Sequence, residues 1–87
     1  MNLNEEQLNA ISDMASLFYT PKEIAINLEV DIDDFDMEIK SEHGPIYKAF
    51  MKGWFESDMK LRRSTLQSAI NGSTPSIQVI ENYKNKI

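Results

Sequence analysis

The chain has 87 residues, no cysteine, 41% hydrophobic residues and a net charge of −5. That length holds one domain with a thin core, because so short a chain buries only about 60–65% of the surface it exposes unfolded. Without cysteine there is no disulfide and no thiolate metal site, so assembly with copies of itself is the remaining extra source of stability.

The hydrophobic content is too high for a disordered chain. No apolar run approaches the roughly 20 residues of a membrane span. The opening MNLNEEQL lacks the basic and apolar regions of a signal peptide. The expectation is a soluble, cytoplasmic protein with no membrane partner.

Charge is unevenly spread. Residues 1–43 carry eleven acids and two bases, a net of −9, whereas residues 44–87 carry three acids and seven bases, a net of +4. Such a division suggests nucleic-acid contact by the basic half or head-to-tail contact between copies. Solvated faces that happen to differ would look the same.

A first helix is expected from Glu5 to about Phe18. Asn4 is its cap, Gln7 the capping-box partner, and Leu3 with Leu8 the hydrophobic staple. Leu8, Ile11, Ala15 and Phe18 recur at helical spacing and predict one buried face. Glu5 and Glu6 suit the positive end of the helix dipole.

Two short helices follow, Pro21 to about Leu28 and Ile32 to about Lys40. Thr20 caps the first, Pro21 fits its first position, and Glu23 completes a capping box. Asp31 caps the second. Ala25, Leu28, Val30, Phe35 and Ile39 supply the apolar contacts between them. Short helix, short turn, short helix is the helix-turn-helix arrangement, whose second helix often reads DNA. Here that helix and its cap carry Asp31, Asp33, Asp34, Asp36 and Glu38 against Lys40 alone, and phosphate repels them. The turn holds Glu29 where Gly is common. A left-handed Glu29 would cost about 1 kcal/mol, so a wider turn is expected.

From Ile46 to about Asn71 only Gly53 interrupts a long helix of about 39 Å. Ile46, Phe50, Trp54 and Leu61 mark one apolar stripe, and Met51, Phe55, Met59, Leu66 and Ile70 another. Two stripes predict two partners, the core and a neighbouring helix or chain, although one wide core face would give the same pattern. Gly53 suits a close helix crossing. Gly72 ends the helix. Thr74 is the expected cap of a last helix opened by Pro75, with Ile77, Ile80 and Ile87 on its apolar face. A short turn folds it back as a helical hairpin. The fold class is therefore all-α: a helix-turn-helix core over 1–43, then a long helix and a short C-terminal helix over 44–87, in a single domain. About two-thirds or more of the chain should be helical.

No catalytic constellation stands out. His43 is the one histidine, in a loop, with no nucleophile motif around it, and no phosphate-binding glycine loop exists. The acidic run from Asp31 superficially resembles a calcium loop. An EF-hand needs Gly at its sixth position and Glu at its twelfth, and Phe35 and Met37 are expected to face an apolar core instead. No enzyme, metal or cofactor is expected.

TPKEIAINLEVDIDDFDMEI, followed by GPIYKAFMKGWFESDMKLRRSTLQSAINGSTPSIQVIENY, resembles the small terminase subunits of tailed bacteriophages in their compact helix-turn-helix group. The resemblance runs from Tyr19 to about Tyr83. It rests on the helix-turn-helix, the aromatic YKAF-x-KG opening of the long helix, LRRS within it and the closing NGSTPS turn. It implies a DNA-packaging protein that binds viral double-stranded DNA as a homo-oligomer and passes it to the terminase large subunit. Glu29 and the acids of the second short helix depart from a base-reading pattern. Phosphate contact is expected instead from Lys22, Lys48, Lys52, Lys60, Arg62 and Arg63, and self-assembly through Met51, Trp54, Phe55 and Met59. Two other readings stand beside this one: a protein-interaction module whose acidic face meets a basic partner, and a phage or bacterial transcription regulator.

Overall fold

A computed structural model describes residues 1–72 and 74–84, without the side chains of 74–76 and 83. Five helices run in order, α1 Glu5–Ser16, α2 Pro21–Leu28, α3 Ile32–Lys40, α4 Gly44–Ile70 and α5 Thr74–Lys84, and the described residues include no strand. The fold is all-α. It groups into two compact units, Met1–Ser57 and Asp58–Ile87.

In the first unit, α1 starts as its cap predicts. The Asn4 side chain accepts the Gln7 N–H at 2.8 Å, and the Gln7 side chain accepts the Asn4 N–H at 2.9 Å. The helix stops two residues short of the expected end. Phe18 takes a left-handed conformation, φ 63°, and the Tyr19 N–H reaches back to the Met14 carbonyl at 3.2 Å. That closes the helix as a glycine would, and it turns Phe18 out of the core to 46% exposure. Its ring meets Trp54 edge-on, with centroids 5.9 Å apart. The expectation that Phe18 completes the buried face of α1 is thus corrected.

The core belongs to this unit. Ile11 and Ala15 of α1, Ile24 and Ala25 of α2, Phe35 of α3, and Ile46 and Phe50 of α4 are buried together. Leu3, Leu8, Leu28, Val30, Ile39, Met51 and Trp54 pack around them. Met37 departs from expectation. It faces solvent at 68% exposure, since it lies two residues after buried Phe35, on the far side of the helix.

Gly53 sets how closely α1 and α4 approach. A Cβ built there would overlap the Ser12 backbone carbonyl. One turn on, the Ser57 hydroxyl donates to the Ser16 carbonyl, closing the end of α1.

The second unit holds the rest of α4 and α5. The Asn71 and Gly72 N–H groups bond to the Gln67 and Ala69 carbonyls, and Gly72 is left-handed at φ 91°. The last helix begins at Thr74 itself, one residue earlier than expected. Its side-chain cap, and Ile87, lie outside the described residues. Ile77 is exposed and Ile80 half-buried.

Gly53→Ala should lower stability by about 1–3 kcal/mol, the usual cost of overpacking, in spite of the better helix propensity of Ala. Ser64→Ala, on an exposed position of α4, should leave the thermal midpoint unchanged or raise it. Equal midpoints for Gly53→Ala and the parent would show that the crossing tolerates a methyl group.

Candidate nucleic-acid interface

The helix-turn-helix is built by its caps. The Thr20 hydroxyl accepts the Glu23 N–H at 3.2 Å, and the Glu23 carboxylate accepts the Thr20 N–H at 2.9 Å. That backbone N–H, then the Thr20 hydroxyl, holds the Glu23 carboxyl below its ordinary pKa. The Asp31 carboxylate accepts the Asp34 N–H at 2.8 Å and starts α3. Both helices have the expected boundaries.

The turn between them is tight, not widened. Glu29 is left-handed at φ 58°, ψ 39°, and the Val30 N–H reaches the Ala25 carbonyl at 3.1 Å. The turn geometry requires this conformation, and Glu29 bears the cost that Gly would avoid. The wider turn expected from the sequence is corrected accordingly.

The outward face of α3 is acidic. Asp31, Asp33 and Asp34 are exposed, Asp36 and Glu38 half-buried. Its one base is taken: the Lys40 ammonium lies 2.7 Å from the Asp36 carboxylate, whose hydrogen bond and charge raise the lysine pKa. A helix of this charge entering a major groove would bring carboxylates against phosphates.

The expected cationic residues lie elsewhere. Lys22, on the first turn of α2, is exposed, as are Lys48 and Lys52, which sit one turn apart on α4 within the first unit. Lys60 and Arg63 are exposed in the second unit. Arg62 is engaged, donating from Nε to the buried Asp58 carboxylate at 2.8 Å. Asp58 was legible four residues before Arg62, at a spacing that pairs charges on a helix.

The residues expected to drive assembly divide. Met51 and Trp54 pack against the core. Phe55 and Met59 are 53% and 51% exposed. Phe55 meets Trp54 edge-on at 5.3 Å. Among the described residues no group of His, Asp and Glu could hold a metal ion, and no helix is long and apolar enough to cross a membrane.

Glu29→Gly should stabilise the fold by up to about 1 kcal/mol, the left-handed strain less the backbone entropy that Gly adds to the unfolded state. Glu29→Val should destabilise it, because a β-branched residue tolerates positive φ poorly. Denaturant midpoints in the opposite order would contradict the tight turn.

Compared with known proteins, the chain matches no protein family, no curated protein and no solved structure.

Proposed function

We propose that the chain is a DNA-packaging protein of the small-terminase kind, which binds viral double-stranded DNA as an oligomer and delivers it to a large subunit. The observation that carries this reading is the tight three-residue turn between α2 and α3, closed by left-handed Glu29, which gives the pair the compact form of a DNA-binding helix-turn-helix. The acids of α3 shift the contact away from that helix. Lys48 and Lys52, with Lys22, meet phosphate. The exposed rings and thioethers of Phe55 and Met59 support self-assembly.

A second reading is favoured by Met37. An exposed methionine among carboxylates suits a protein partner better than a phosphate backbone, so the helix-turn-helix could serve as an interaction scaffold.

A charge-change pair distinguishes the two. Binding to duplex DNA should be weak for single copies, stronger when copies are arrayed, and steeply reduced by salt. Lys48→Glu with Lys52→Glu should abolish it. Asp33→Ala with Asp34→Ala should leave the binding of single copies intact or strengthen it. Loss of binding in the aspartate variant, with helix content and mass unchanged, would make α3 the reader. No DNA binding by the parent at low salt would favour the interaction scaffold.

A further inference from the structure

Two exposed faces of the molecule have the same design with opposite charge. On α3, Met37 lies four and three residues after Asp33 and Asp34, so the three share a face, and all are exposed. On the part of α4 in the second unit, Met59, Arg63, Leu66 and Ile70 follow one another at helical spacing. Met59 is 51% exposed, Leu66 48% and Ile70 69%, with Arg63 between them and Lys60 beside Met59. The first sets an exposed methionine beside two carboxylates, with Lys40 on its far side already paired to Asp36 and the Met1 ammonium on Glu38. The second sets exposed apolar side chains beside two cations.

The same division holds for the units as wholes. Residues 1–57 carry twelve acids and four bases, a net of −8, and residues 58–87 carry two acids and five bases, a net of +3. The complement of each face is thus present on every copy of the chain.

We propose that the Asp33–Asp34–Met37 face of α3 in one copy docks on the Lys60–Arg63 face of α4 in a second copy. The contact is head-to-tail: two different patches meet, so each copy keeps one patch free for the next. Repetition closes a ring or extends a filament according to the rotation between copies. The apolar centres are small, which puts one contact at the lower end of specific interfaces, below about 1,200 Å² in total. Charge complementarity then dominates encounter and register. Lys60 and Arg63 face carboxylates in the assembly, and Lys48 and Lys52 stay available to DNA. The inference deepens the oligomer of the DNA reading but is tested without DNA: Lys48 and Lys52 take no part in the contact, so its failure leaves single-copy DNA binding untouched.

The test is mass in solution by sedimentation across a range of concentrations, on nuclease-treated protein at low and high salt. One variant carries Asp33→Lys and Asp34→Lys, the other Lys60→Glu and Arg63→Glu. Each alone should associate at least tenfold more weakly than the parent, because like charges then face each other. Mixed in equal amounts they should form assemblies of alternating copies much heavier than either variant alone, since either reversed patch now complements the other chain. High salt should weaken the parent's assembly as screening shortens the reach of the charges. Circular dichroism checks that each variant remains helical. If a reversal unfolds the chain, Asp33→Asn with Asp34→Asn and Lys60→Gln with Arg63→Gln replace it, and each should weaken assembly. A monomeric parent overturns the proposal. So does parental mass in either variant alone, as a contact between two α4 helices would give, or a mixture no heavier than its components.

Discussion

Backbone meets backbone where Gly53 of α4 passes the Ser12 carbonyl of α1, and the first unit depends on that approach. Any side chain at residue 53 would push the helices apart. Held together, they let Ile11 and Ala15 share one core with Ile24, Ala25, Phe35, Ile46 and Phe50. The hydroxyl bond from Ser57 to the Ser16 carbonyl fixes the crossing one turn further along. Both contacts position α1 as the brace behind α2 and α3. The orientation of the helix-turn-helix is therefore set by a glycine outside it.

Much of this was legible in the sequence because the starts of helices are written in side chains. Asn4, Thr20 and Asp31 each bond the N–H three residues on, so the starts of α1, α2 and α3 follow from local chemistry. The ends were harder to read. Phe18, Glu29 and Glu42 all take positive φ without being glycine. Each lies where the chain turns out of a helix and its neighbouring N–H groups bond back to the helix's last carbonyls, a closure that glycine would announce and these residues do not. That is why α1 ends before Phe18 and why the turn at Glu29 is tight. The two stripes of α4 do not divide cleanly. In one, Ile46 and Phe50 are buried and Trp54 packs on the core while Leu61 is 52% exposed. In the other, Met51 packs on the core while Phe55, Met59, Leu66 and Ile70 are exposed.

The candidate site was legible as a list of charges and not as a set of available charges. Lys48 and Lys52 stand exposed as their spacing suggests. Arg62 and Lys40 are each held by an aspartate four residues earlier. Met37, expected to face the core with Phe35, instead faces water, because a residue two positions after buried Phe35 lies on the other side of the helix. An electrostatic account of this protein depends on which charges already have partners.

Every fully buried apolar side chain among the described residues lies between Ile11 and Phe50. Among the described residues of the second unit, Thr65, Ser68, Ala69 and Ile80 are half-buried, and Met59, Leu61, Leu66, Ile70, Ile77 and Val79 are exposed. Burial of those side chains by a second copy would make the unit's stability a matter of mass action. A surface that binds only the folded form adds stability that grows with the logarithm of its own concentration. Under the proposed assembly, fold and company would be linked quantities for this unit, and protein concentration would be one of the terms that set its stability.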